Sequence, residues 1–138
     1  MSKIKVIVVE PNKEPYIKEI EHTLENLQSL VGGLIEFINL EDDIDIICNE
    51  EGKLRNLEFN RILENDIIAG TFIIVGVNQK KGATISIPEN KIKKYLDMFK
   101  LDKHMKKVDY MKSEFIESGN LAYMKFISLE KGDDDNKK

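Results

Sequence analysis

The chain has 138 residues, 41% of them hydrophobic and 33% charged, enough for one domain with its own core and too few for two ordinary ones. Its formal net charge of −4 offers no general attraction to nucleic acid or to an anionic membrane. A single cysteine excludes an internal disulfide, and with two distant histidines it makes a poor metal set.

The N-terminus "MSKIKVIVVEP" enters a strand pattern at once, without the layout of a signal peptide. Ile4 to Val9 is a β-branched run ended by a Pro-Asn turn, and it reads as a buried strand. "PYIKEIE" fits a return strand closing a hairpin, although a direct lead into the next helix fits it too. In "HTLENLQSLVGG", Leu24, Leu27, Leu30 and Val31 form one apolar stripe, Thr23 is the candidate N-cap and Gly32 the left-handed stop. The Gly-Gly pair thus follows a helix, whereas glycine loops that bind phosphate open one.

"LIEFINL" and "DIDIIC" read as strands, the second placing Ile44, Ile46 and Cys48 on one face. "NEEGK" has the composition of a hairpin turn, with Gly52 expected at positive φ. A further buried strand is predicted over Thr71 to Val77, and "FIIVGV" within it is far short of a membrane span. "SIPENKIKKYLDMF" is the second helix, with Ser86 as candidate N-cap and Ile92, Tyr95, Leu96 and Phe99 as its buried stripe. Residues 100 to 114 are dominated by charge, "GNLAYMKFISLE" alternates as a final strand would, and "KGDDDNKK" is expected to be disordered. Together these elements predict an α+β fold, a mixed or mainly antiparallel sheet of about five to six strands with two to three helices. The helices are expected on one face of that sheet. The predicted domain runs over 1–131 (with 100–131 as an extension), followed by a tail over 132–138.

The blocks "LVGG.IE", "CNEEGK" and "NR…IAGTF", in that order, resemble a small family known only as a domain of unknown function, found in phages, plasmids and Gram-positive bacteria, clostridia especially. The resemblance covers about residues 4–99. It implies a mobile-element origin and a cytoplasmic setting in the host cell, and it carries no activity.

Four residues are candidates for lining a ligand pocket: Asn49, Asn60, Arg61 and Thr71. An arginine beside an amide and a glycine-bounded strand is a reasonable anion clamp; against this, Glu58 and Glu64 lie three residues to either side and are natural surface partners for Arg61. Cys48 lies in an apolar strand where cysteine usually acts as a small hydrophobe, and His22 and His104 are distant in sequence. The carboxylates of Glu41, Asp42, Asp43, Asp45, Glu50 and Glu51 do not follow a calcium-loop order. Charge is segregated: residues 34–70 hold ten acidic and three basic side chains, residues 79–112 ten basic and four acidic. Such asymmetry fits a surface facing a partner or a second copy of the chain, and it equally fits two solvated faces. Tyr95 and Phe99 are needed for the helix core, which argues against their stacking on nucleic acid.

The expectation is a non-enzymatic binding protein that blocks a host factor, a protein, without a cofactor or a metal. The alternatives are sequestration of a nucleotide-like ligand near Asn60 and Arg61, and DNA mimicry through the acidic stretch.

Overall fold

The computed structural model describes residues 2–64 and 66–101. Strand β1 (Lys3–Val9) turns back through a Pro-Asn bend into β2 (Tyr16–Glu21), and the two pair antiparallel from Lys3 opposite Glu21 to Val8 opposite Tyr16. The hairpin reading of "PYIKEIE" therefore holds. Helix α1 (Leu24–Val31) starts at Thr23, whose hydroxyl accepts the Asn26 N–H at 3.1 Å. It stops at Gly32, whose φ of 83° lets its N–H return to the Gln28 carbonyl. Leu27 and Val31 are buried, whereas Leu24 stays 59% exposed.

Strands β3 (Ile35–Glu41) and β4 (Ile44–Asn49) follow, then a ribbon of β5 (Phe59–Leu63) and β6 (Asp66–Ala69), then β7 (Phe72–Val77), the short β8 (Thr84–Ile85) and helix α2 (Glu89–Met98). The main sheet runs β2-β1-β7-β4-β3 with β8 added on β7, and every pair in it is antiparallel. The α+β class and the mainly antiparallel sheet agree with the sequence, and the described residues form two helices. The separate β5–β6 ribbon brings the strands to eight among the described residues.

Both faces of the sheet are covered, where the sequence predicts helices on one. Strand alternation sorts Ile4, Val6, Val8, Ile47, Ile73 and Val75 onto the side that packs on Leu27 of α1. The opposite set, Ile7, Val9, Ile44, Ile46, Cys48, Phe72 and Ile74, packs on Ile92 and Tyr95 of α2, on Phe99 just past its end and on Ile68 of the ribbon. The central strands are therefore apolar on both sides, which is why "IIC" and "FIIV" read as continuous runs.

Two local expectations are corrected. "NEEGK" does not close a hairpin: β4 pairs with β3 and β7, and β5 pairs with β6. Gly52 is absent from the positive-φ glycines; it is needed because a Cβ there would lie 2.5 Å from the Ala69 carbonyl oxygen. Ser86 does not cap α2. Its hydroxyl accepts the Lys5 N–H at 2.8 Å, and the N-cap position belongs to Pro88. The final strand in "GNLAYMKFISLE", His104 and the tail 132–138 lie outside the described residues. Among the described residues no helix is long and apolar enough to cross a membrane.

The segregated charge is partly zipped internally. Glu41, at the end of β3, accepts Lys91 Nζ at 2.5 Å, Lys94 Nζ at 2.8 Å and the Tyr95 hydroxyl, while Asp43 stands 3.8 Å from Lys91. The hydrogen bonds from Lys91, Lys94 and Tyr95 draw the Glu41 carboxyl from 4.5 down to about 2. A depressed carboxyl stabilises the fold above its unfolded value and loses that contribution as pH falls through its folded one. Urea midpoints of wild type and Glu41→Gln should thus differ at neutral pH and converge between pH 4.5 and about 2. A gap that persists at pH 2 would contradict the link.

Candidate functional site

The four residues singled out in the sequence fall into different environments. Arg61 is fully buried and fans its guanidinium over the chain interior. Its Nε donates to the Phe99 carbonyl at 2.9 Å, one Nη to the Lys13 carbonyl at 2.5 Å and the other to Asn60 Oδ1 at 2.7 Å. Burial pushes the guanidinium below its ordinary value, opposed by the charge of Glu14. Asn60 is equally buried, and its amide donates to the Val9 carbonyl at 2.8 Å and the Gly70 carbonyl at 2.9 Å. The pair therefore ties the ribbon to the end of β1, to the β1–β2 bend and to the end of α2. The surface pairing of Arg61 with Glu58 or Glu64 is not what the structure shows; backbone carbonyls take their place.

Asn49 is also spent internally, donating to the Val31 carbonyl at 3.1 Å and accepting the Glu51 N–H at 2.7 Å. Those bonds fix where the chain leaves β4. Thr71 is half-buried between the ribbon and β7. Asn49 also borders an open cavity.

That cavity is a cleft of about 430 Å³, between the β3–β4 edge of the sheet on one side and the ribbon and the 50–54 turn on the other. Its size falls within the range of ligand sites, roughly 300–1,000 Å³. Glu36 and Ile38 of β3 and Cys48 of β4 face it from the sheet, while Leu63, Ile67 and Ile68 face it from the ribbon. Glu50, Glu51, Lys53 and Leu54 form the lip, and Leu54 is 70% exposed. The turn keeps its shape through Leu57 N–H on the Gly52 carbonyl at 3.0 Å and through the Lys53–Asp66 ion pair, which pins it to β6.

Electrostatically the cleft is acidic. Asp66 is paired with Lys53, and Glu51 lies 3.6 Å from Arg55. Glu36 and Glu50 have no ion pair among the described residues. Cys48 approaches Glu36 Oε1 at 4.0 Å, and burial together with that charge pushes the thiol up to about 12. A thiol in that range stays protonated at neutral pH and is a poor nucleophile. Iodoacetamide at pH 8 should leave Cys48 unmodified in the folded chain and label it promptly in urea; prompt labelling of the folded chain, read by intact mass, would contradict this. Among the described residues no His, Cys, Asp or Glu group of three or more is gathered as a metal site requires.

The sequence reading missed Glu36, Ile38, Leu63 and Ile68 as cleft residues. Alternation along β3 was the available signal, since it puts Glu36 and Ile38 on one face. Nothing local signals that the ribbon folds opposite them.

Nothing among curated proteins or solved structures matches the chain. A family model, described as a domain of unknown function, matches residues 4–100, from the second residue of β1 to just past α2. The chain belongs to this family, DUF3846.

Proposed function

We propose that this domain is a binding module without catalytic activity, and that its binding surface is the cleft between β3–β4 and the ribbon. The observation that carries the reading is the character of that cleft: an apolar floor from Ile38, Ile67 and Ile68, a lip with an exposed leucine, and two carboxylates, Glu36 and Glu50, without ion partners among the described residues. A concave site of this size, mostly apolar with a few polar groups at its rim, has the general form of a binding site.

The acidic lining disfavours a nucleotide-like ligand, because phosphates would face Glu36 and Glu50 with Lys53 already engaged. Arg61 and Asn60, the sequence's candidates for holding such a ligand, are occupied by backbone carbonyls. DNA mimicry is weakened in the same way, since Glu41 and Asp43 are engaged by Lys91 and Lys94. On this reading the partner is a protein. That it is a host factor blocked in the cytoplasm by a phage or plasmid product rests on the family resemblance alone.

The test compares two exposed substitutions of little expected cost to folding, Leu54→Asp at the lip and Lys93→Glu on α2. Capture of a reproducible partner from bacterial lysate should be lost with Leu54→Asp and kept with Lys93→Glu. Equal capture by both variants would overturn the cleft as the binding surface.

A further inference from the structure

We infer that the open edge of β3 takes up the partner as an added antiparallel strand, an extended segment alternating basic and apolar residues. The inference rests on the cleft being the binding surface and names what enters it.

The backbone supplies the first part. Among the described residues β3 is an edge of the sheet, bonded on one side only, to β4. The Glu50 N–H donates to the Leu34 carbonyl at 2.8 Å, and the register places Glu36 opposite Cys48 and Ile38 opposite Ile46. Hydrogen-bonded and non-bonded pairs alternate in an antiparallel ladder, so even-numbered residues turn their peptide groups to β4. Ile35, Phe37 and Asn39 then turn theirs to the open edge. An unpaired row of this kind is a template for one more strand.

The two edges of the sheet differ in how they are guarded. The other edge, β2, exposes Lys18, Glu19 and Glu21, charges of both signs. Strand β3 has Ile35, Phe37, Ile38 and Leu40, charge of one sign only in Glu36 and Glu41, no lysine and no proline, and Phe37 is 50% exposed. Mixed charge discourages strand addition and its absence permits it.

Side-chain alternation then selects the occupant. Glu36 faces the cleft, where Glu50 also lies, and both lack an ion partner among the described residues. An added residue opposite Glu36 would sit on the cleft side, beside these carboxylates, and a lysine or arginine there is complementary. Its neighbour opposite Phe37 would lie on the other face, against an exposed aromatic ring, where an apolar residue fits. A second copy of this chain would bring β3 with its own Glu36 and Glu41 against the same acidic edge, so charge favours a basic partner over self-pairing.

The experiment uses the full chain, isotope-labelled, titrated with three eight-residue peptides: alternating Lys and Val, alternating Glu and Val, and the Lys–Val peptide with a central proline. The Lys–Val peptide should bind and slow amide exchange at Ile35, Phe37 and Asn39, with β2 unchanged. The Glu–Val peptide should bind about tenfold more weakly, the proline peptide should fail, and Glu36→Lys should reverse the preference between the two charges. Equal affinity for both charged peptides, or protection at β2 instead, would overturn the inference. So would slow exchange at Ile35, Phe37 and Asn39 in the free chain, since the edge would then already be closed by the chain itself or by a second copy. A flat response to all peptides, with Leu54→Asp still abolishing capture, would overturn the added strand and leave the cleft standing. Unchanged capture by Leu54→Asp would overturn the cleft whichever peptide binds.

Discussion

Arg61→Ala should lower the unfolding free energy by about 4 kcal/mol, because it strips donors from several buried acceptors at once at roughly 1–3 kcal/mol each. The Phe99 and Lys13 carbonyls and Asn60 Oδ1 all lose their closest donor to this side chain, and the volume left by a fully buried arginine adds to the loss. Arg61→Lys should cost about half as much, since one ammonium cannot reach acceptors spread over three segments of chain. Urea denaturation gives the check: the midpoint should fall in both variants with little change in slope. A loss under about 1 kcal/mol for Arg61→Ala would mean that the guanidinium is not a brace, and would return it to the role of a ligand clamp.

Phe99→Ala should destabilise the chain by about 3–5 kcal/mol, the range for emptying a packed aromatic site. Phe99 is fully buried one residue beyond α2, and its ring meets the Phe72 ring edge-on at 5.2 Å and 75°. That contact joins the end of α2 to the start of β7, and the Phe99 carbonyl receives Arg61 from the ribbon. The residue therefore closes the same junction from the apolar side that Arg61 closes from the polar side. Phe99→Leu, which keeps most of the volume, should cost no more than about 2 kcal/mol. Thermal unfolding would show the order wild type, Phe99→Leu, Phe99→Ala; a near-wild-type midpoint for Phe99→Ala would make the end of α2 peripheral to the core.

The elements most legible in the sequence are those whose signals are local. The β-branched run of β1, the Thr23 cap and Gly32 stop of α1, and the Ile92–Tyr95–Phe99 stripe of α2 each depend on residues within a turn or two. The misplaced features depend on contacts far along the chain. Gly52 looks like a hairpin glycine until Ala69, seventeen residues on, is seen to press against it. Ser86 looks like a cap until it bonds Lys5, 81 residues away.

The same distinction applies to the site. Asn60 and Arg61 stood out as an amide and an arginine beside a glycine-bounded strand, and their partners include the Val9, Glu10 and Phe99 carbonyls, 38 to 51 positions off. The continuous apolar runs in β4 and β7 did carry the news that both faces of the sheet are covered, since alternation fails when both faces are buried. The cleft was half legible. Asn49 was among the expected pocket liners, but the ribbon that forms the opposite wall comes into place only through the fold.

The most direct test of the central claim, that the chain works through the cleft and not through its buried polar pair, is hydrogen–deuterium exchange on the full chain with and without the partner it captures. Protection should appear at residues 35–39 of β3, at the 50–54 turn and at 66–69 of the ribbon, with α1, β2 and the exposed face of α2 unchanged. Protection centred on α1 or α2, with the 50–54 turn exchanging as in the free chain, would contradict it.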